Sequence, residues 1–86
     1  MEERSRFEVR EDGEVAVLTY EVEDEGREPA VTFLHTAVPD SLAGRGVGSR
    51  LAETGVRWAQ EGGLAVVVEC SFVRGWLERH PEKRTA

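Results

Sequence analysis

Apolar and polar residues alternate along the first quarter of the chain, as they do in half-buried strands. The alternation predicts two strands, over residues 6–10 and 14–22, joined by Glu11-Asp12-Gly13. An Asp-Gly pair between alternating segments favours a tight hairpin, because such turns need residues that tolerate a positive φ. The residues expected on the more apolar face of the second strand are Ala16, Leu18, Tyr20 and Val22.

The next segments predict a strand, a helix and a second strand parallel to the first. After a polar connection over residues 24–29, residues 30–38 are rich in β-branched side chains and predict a third strand, ended by Pro39. Apolar positions then recur at helical spacing from near Gly46 to about Glu61, and Gly62-Gly63 closes this helix. Residues 64–69 form a short, nearly continuous apolar run, which is typical of a buried parallel strand.

A last helix is predicted to run through Arg79, capped at its start by Ser71 and ended by His80-Pro81. The residues expected on its packed side are Phe72, Trp76 and Leu77. The whole order predicts one α+β domain over residues 1–86, namely an antiparallel β-hairpin, a third strand, a βαβ crossover and a C-terminal helix.

Composition and charge narrow the classes of function. The 86 residues are 40% hydrophobic and 33% charged, as in ordinary globular domains, and the net charge of −6 argues against nucleic-acid binding. A single cysteine, Cys70, excludes an internal disulfide and a multi-cysteine site, so no metal is expected. The longest apolar run, over residues 64–68, is too short to span a membrane. The N-terminus lacks the apolar core of a secretory signal, so we expect cytoplasmic residence.

A glycine-rich turn directly before the first predicted helix is the strongest candidate for a binding site. Gly44, Gly46 and Gly48 alternate there with larger residues. Glycines let the backbone approach a ligand closely, and the first N–H groups of a helix attract phosphate because they lack internal partners. A dinucleotide-binding fold is excluded because a hairpin comes first, and a P-loop is excluded because no lysine stands directly after these glycines. The turn therefore predicts a site for another phosphorylated cofactor.

The segment over residues 43–48 resembles the acyl-CoA pyrophosphate loop of the GNAT superfamily of N-acetyltransferases. That motif reads Arg or Gln, two variable residues, Gly, one variable residue, then Gly or Ala. Gly46 and Gly48 match its glycines, and Ala43 stands where Arg or Gln is usual. The wider pattern is similar to that of the small, single-domain YjdJ-type GNAT proteins, which lack the acceptor-side helices and terminal strands of the full fold. The further segments that carry this resemblance are His35-Thr36-Ala37-Val38-Pro39, Cys70 and His80-Pro81.

This resemblance implies a minimal GNAT fold, expected as three layers, that binds acetyl-CoA or coenzyme A. Pantetheine would lie between the splayed ends of the third and fourth strands, hydrogen-bonded by the backbone near Ala37 and Val38. The N–H groups implied to hold the pyrophosphate are those of Arg45, Gly46, Val47, Gly48 and Ser49. The side chains of Arg45 and Arg50 are expected to add further contacts.

Acetyl transfer to an amine requires that the departing thiolate be protonated and the amine proton be removed. Many GNAT enzymes protonate the thiolate with a tyrosine after the last parallel strand, but no tyrosine follows Tyr20 here. Cys70 ends that strand and is a candidate acyl acceptor or general acid; a buried structural cysteine is the alternative. His35 is a candidate base, since an imidazole accepts a proton near neutral pH. Strict alternation places His35 on the same face as Phe33 and Ala37, where it is otherwise a structural histidine.

Two functions follow from these features. The first is an acetyl-CoA-dependent N-acetyltransferase whose acceptor is an amine of a small molecule or an exposed amine of a protein. The second is a CoA or acyl-CoA-binding module with little or no catalysis, favoured by the missing tyrosine, the missing acceptor-side helices and Ala43. The sheet edge left by the missing strands also predicts a possible homodimer.

Overall fold

In the part of the chain that the structure describes, four strands form one mixed sheet in the order β1-β2-β3-β4. The computed structural model describes residues 2–23 and 28–80. β1 (Glu2–Glu11) and β2 (Glu14–Glu23) form an antiparallel hairpin, and β3 (Ala30–Ala37) pairs antiparallel with β2. β4 (Ala65–Val68) pairs parallel with β3. The predicted hairpin, third strand and parallel strand are confirmed, while part of the predicted connection over residues 24–29 lies outside the described residues.

The hairpin turn consists of Asp12 and Gly13, with φ values of 54° and 77°. Two consecutive positive φ values match the right-handed twist of the flanking strands, which is why Asp-Gly is favoured in this turn. β1 begins four residues before the prediction, at Glu2. Its first half consists mostly of charged residues and pairs with the charged end of β2, so no apolar alternation marks it in the sequence.

Within the described residues, two helices follow the third strand. A single 3₁₀ turn (Asp40–Leu42) leads to α1 (Val47–Glu61), which begins after Gly46 and ends at Gly62, close to the predicted bounds. α2 covers Ser71–Arg79, as predicted, and its predicted terminator Pro81 lies outside the described residues. Two details of the α2 prediction are wrong. Cys70 rather than Ser71 occupies the N-cap, and the buried residues of α2 are Val73, Trp76 and Leu77, whereas Phe72 is 37% exposed.

Both helices pack on the same face of the sheet. The buried residues of that face come from the alternate positions of β2 and β3, and they join the apolar sides of α1 and α2 in one core. The sheet positions in this core are Ala16, Leu18, Val31 and Phe33. The expected three layers are therefore wrong for the described residues, which form two layers, because only one face of the sheet has apolar positions in every strand. The minimal α+β fold itself is confirmed.

The opposite face of the sheet is polar or only partly covered. Val15 and Val67 remain 38% and 45% exposed, and Glu8 forms ion pairs there with Arg6 and Arg10 at 2.7 and 2.9 Å. Among the described residues, no helix has both the length and the apolar character needed to cross a membrane.

Candidate functional site

A gap opens between β3 and the chain that follows β4. Their parallel pairing ends where Phe33 meets Val68, whereas β3 continues to Ala37. The Phe33 carbonyl accepts hydrogen bonds from the N–H groups of both Glu69 and Cys70, at 2.9 and 3.0 Å. Because one carbonyl accepts both hydrogen bonds, the chain turns away from β3 at Glu69. α2 then begins at Ser71, in place of a longer β4.

A β-bulge in β3 lies directly after Phe33, the last residue of β3 that pairs with β4. Phe33 is opposite Tyr20 and His35 is opposite Thr19, so Leu34 has no partner on β2. An unopposed residue shifts every later side chain of the strand by one position. The bulge therefore reverses the faces of the last residues of β3.

The residues after the bulge divide between the two faces of the sheet. Thr36 lies on the face covered by the helices, where it contacts Cys70. His35 and Ala37 are exposed on the other face. The prediction that His35 shares a face with Phe33 is wrong, because it assumed strict alternation through the bulge.

The glycine turn begins α1 without any side-chain cap. Gly44 and Gly46 have φ values of 82° and 77°, a conformation that is strained for residues with a side chain, and Gly46 is the N-cap residue. The first internal bond of the helix runs from the N–H of Arg50 to the carbonyl of Gly46, at 3.0 Å. The N–H groups that precede this bond, and so have no partner within the helix, are those of Val47, Gly48 and Ser49. No acidic residue occupies the first turn of α1.

A cleft of about 400 Å³ lies between this helix start, the end of β3 and the start of α2. The residues that line it are Thr36, Val38, Leu42, Ala43, Gly44, Gly46, Val47, Gly48, Ser49 and Phe72. The cleft thus brings together five of the predicted cofactor residues, namely Val38, Gly46, Val47, Gly48 and Ser49. None of the lining residues carries a titratable side chain.

Gly48 allows a close approach by Phe72 at one wall of the cleft. A Cβ on this residue would lie 2.6 Å from Cζ of Phe72. The tip of the Phe72 ring therefore lies against the first turn of α1, and the ring lines the cleft on the side of α2.

Cys70 lies behind one wall of the cleft rather than on it. Its side chain is buried, and Sγ is 3.1 Å from Oγ1 of Thr36, which lines the cleft. The side chain of Arg74 donates to the carbonyl of Val68 at 2.9 Å, which fixes the start of α2 against the end of β4. The thiol is thereby held next to the gap between the two strands.

Comparisons with known proteins agree with this architecture. The family model described as GCN5-related N-acetyl-transferase matches residues 6–86. This chain belongs to the GCN5-related N-acetyltransferase (GNAT) family. Among curated relatives, protein NATD1 of Xenopus tropicalis is 31% identical over 80 residues, covering 91% of this chain and 71% of the relative. Protein NATD1 of Bos taurus is 32% identical over 80 residues, covering 91% and 68%. No solved structure gives a significant match.

The three remaining predicted cofactor residues of this GNAT domain lie outside the cleft lining. Ala37 is on the exposed face of β3. The side chains of Arg45 and Arg50 extend from the glycine turn to the β1–β2 hairpin, where Arg45 Nη1 is 2.6 Å from Oδ2 of Asp12 and Arg50 pairs with Glu11. The hydrogen bond and charge of Asp12 raise the pKa of Arg45 above its ordinary value.

The structure also adds site residues that the sequence did not reveal. Thr36 belongs to the segment that suggested the GNAT family, but strict alternation would have turned it away from the helices. Phe72 was expected to pack in the core, since it is a large apolar residue at the start of a helix. Leu42 lies in the 3₁₀ turn, which no pattern in the sequence indicates. Within the described part of this GNAT chain, no group of His, Cys, Asp or Glu side chains could hold a metal ion.

Proposed function

We propose that this GNAT domain binds acetyl-CoA in the cleft and transfers the acetyl group to an amine. The observation that carries the proposal is the uncapped start of α1, where three N–H groups without helical partners adjoin an open cleft. Helix N-termini of this kind bind phosphate through these N–H groups and the helix dipole. Gly46 and Gly48 keep side chains out of the space in which the phosphate approaches.

The residues around the gap fit the remainder of the cofactor. Val38 directly follows β3, beyond the pairing with β4, and lines the cleft beside Thr36. The backbone of Ala37 and Val38 would hydrogen-bond the pantetheine amides, and the apolar surfaces of Val38 and Phe72 would pack along its chain. Acetyl-CoA, when bound, supplies an activated thioester at the gap.

Calorimetric titration with CoA tests cofactor binding. We expect binding in the low micromolar range or tighter, with pyrophosphate as a weaker competitor. If CoA up to high micromolar concentration released or absorbed no heat, and pyrophosphate did not compete with it, cofactor binding would be rejected. Gly48→Ala places a methyl group at the cleft and should weaken CoA binding. Its matched control is Gly55→Ala, which changes the same helix away from the cleft.

We assign the catalytic roles to Cys70 and His35. Cys70 Sγ is held beside the gap by Thr36, and from there its S–H proton can pass to the departing thiolate. The alternative is that Cys70 Sγ would attack the thioester carbonyl, and the bond between the acetyl carbon and the CoA sulfur would break. CoA would leave as its thiol with the proton of Cys70, and the amine would then take the acetyl group from Sγ and regenerate the thiol. His35 is exposed on the other face of β3, and it would take a proton from an amine that approaches from that face.

Variants of both residues separate these roles. Loss of turnover in Cys70→Ala without an acetyl adduct on the wild-type protein would indicate proton donation, whereas an adduct on Cys70 would indicate covalent transfer. Unchanged turnover in Cys70→Ala would exclude both. For His35→Ala, an unchanged pH–rate profile would exclude the role as base.

A CoA-binding module with little catalysis is the second candidate function. The specific observation in its favour is that none of the lining residues of the cleft has a titratable side chain, while Cys70 is buried behind Thr36. Thiol release with a panel of small amines and peptide amines distinguishes the two. CoA binding without thiol release above the rate in buffer would favour the module.

The identity of the acceptor, the oligomeric state and the location are proposals that follow from the sequence. The acceptor is an amine of a small molecule or of an exposed protein side chain. β4 is an edge of the described sheet, with Val67 45% exposed, and it supports a homodimer that sedimentation velocity would detect. Cytoplasmic residence is testable by fractionation of the host cells.

A further inference from the structure

The β1–β2 hairpin turn contacts the glycine turn through ion pairs. Arg45 Nη1 lies 2.6 Å from Oδ2 of Asp12 and 3.7 Å from Oε1 of Glu11, and Arg50 Nη2 pairs with Oε2 of Glu11. These residues are more than 30 positions apart in the sequence. The tight hairpin turn, with Asp12 at φ 54°, places both carboxylates beside the start of α1.

The two arginines are the nearest cations in sequence to the N–H groups of α1. Arg45 precedes the N-cap residue Gly46, and Arg50 is the residue whose N–H makes the first helical bond. Neither side chain lines the cleft, and both guanidinium groups already contact carboxylates. A phosphate at the helix start would therefore meet N–H groups, but it would meet a guanidinium group only after that group has left its carboxylate.

We infer that Glu11 and Asp12 compete with the phosphate groups of the ligand for Arg45 and Arg50, and thereby set the affinity of the cleft for phosphorylated ligands. The inference rests on the proposed cofactor site. The arginine side chains are 48% and 53% exposed, so their ion pairs are screened by water and can be exchanged at little cost. A guanidinium group binds phosphate through two parallel hydrogen bonds, so phosphate is a strong competitor for it.

The same ion pairs would have the opposite effect if they only oriented the arginines toward the ligand. Removal of the carboxylates would then loosen the arginine side chains and weaken binding. Competition predicts tighter binding instead, so the sign of the change in affinity distinguishes the two cases.

The experiment compares Glu11→Gln/Asp12→Asn with wild type by calorimetry, using CoA, pyrophosphate and pantetheine at about 0.1 M salt. We expect CoA and pyrophosphate to bind about three- to tenfold more tightly to the variant, because the weak exposed ion pairs of Arg45 and Arg50 no longer compete. Pantetheine carries no phosphate, and its affinity should not change. Thermal unfolding of each variant verifies that it is folded.

The matched control is Glu53→Gln/Glu61→Gln, which removes the same charge from exposed positions of α1. Glu53 pairs there with Arg57 at 2.9 Å. A gain as large in this control would mean that net charge alone acts, and it would overturn the inference, as would unchanged or weaker binding in the hairpin variant. The gain should also disappear when Arg45→Ala and Arg50→Ala are added. If neither wild type nor variant bound CoA or pyrophosphate, the cofactor site itself would be rejected together with the inference.

Discussion

Two helical glycines should respond differently to replacement by alanine. Gly48→Ala should weaken CoA binding with little loss of stability, whereas Gly55→Ala should lower the stability and leave CoA binding unchanged. In Gly48→Ala, the new methyl group would lie 2.6, 3.0 and 3.3 Å from three ring carbons of Phe72. Carbon atoms pack best at about 3.5–4.0 Å, so the ring must retreat by roughly 1 Å. Phe72 is 37% exposed and can rotate into solvent. Because alanine favours the helix by about 0.5–1 kcal/mol, the net change in unfolding free energy should stay within about 1 kcal/mol.

Gly55→Ala lies two helical turns farther along α1, about 10 Å from Gly48. Its methyl group would lie 3.0 Å from Cε1 of Phe33 and 3.1 Å from Cδ2 of Leu18, and both of these side chains are fully buried. Overpacking a core typically costs about 1–3 kcal/mol, which exceeds the helix gain of about 0.5–1 kcal/mol. We therefore expect a loss of about 1–2 kcal/mol in unfolding free energy and no change in CoA affinity.

Urea unfolding and CoA titration of both variants provide the assay. Gly48→Ala should bind CoA at least about tenfold more weakly, equivalent to about 1.4 kcal/mol, because its methyl group and the displaced ring change the shape of the cleft. The reasoning would be refuted if Gly48→Ala bound CoA as wild type does. It would also be refuted if both variants lost affinity in proportion to their loss of stability, since binding would then report on the fold rather than on the cleft.

Three further substitutions test the local geometry by urea unfolding. Gly46→Ala should cost about 1–2 kcal/mol, because the residue has φ 77° while its Cβ would meet no atom within 4 Å, so backbone strain alone acts. Thr36→Val removes the hydroxyl beside Cys70 and should cost about 0.5–1.5 kcal/mol, which Thr36→Ser should restore. Glu8→Gln removes a carboxylate whose pKa a hydrogen bond from Arg10 lowers from 4.5. A lowered folded-state pKa stabilises the folded protein at pH values above the unfolded-state pKa. The variant should therefore be less stable than wild type at pH 7, and this difference should vanish as the pH falls below 4.5.

The sequence predicted the helices and strands of the fold because each of them has a local signal over most of its length. Asp12-Gly13 specifies the hairpin turn, and the glycines at both ends of α1 specify its limits within one residue. The number of layers had no such signal. Which face a helix covers depends on which face of every strand is apolar. At the end of β3 the bulge reverses the two faces, so the sequence pattern alone assigns them wrongly there.

The bulge at Leu34 explains most of the difference between the predicted and observed site. Nothing in the sequence around Leu34 distinguishes a bulge from a regular strand, since no glycine or proline is present there. Counting in twos therefore placed His35 toward the core and Thr36 away from it. The ion pairs of Arg45 and Arg50 were equally unpredictable, because their partners are over 30 residues away and are adjacent only through the sheet.

The same bulge places the proposed binding cleft and the proposed base His35 on opposite faces of the sheet. It directs Thr36 and the neighbouring Val38 into the cleft, where the wall is apolar or hydroxylic, and it directs His35 to the open face of the sheet. A thioester in the gap could therefore be reached from the open face without any change in the cleft. Substitution of His35 should then alter turnover and leave CoA affinity unchanged, whereas substitution of Gly48 should alter affinity first. If both substitutions changed affinity alike, the two faces would not have separate roles.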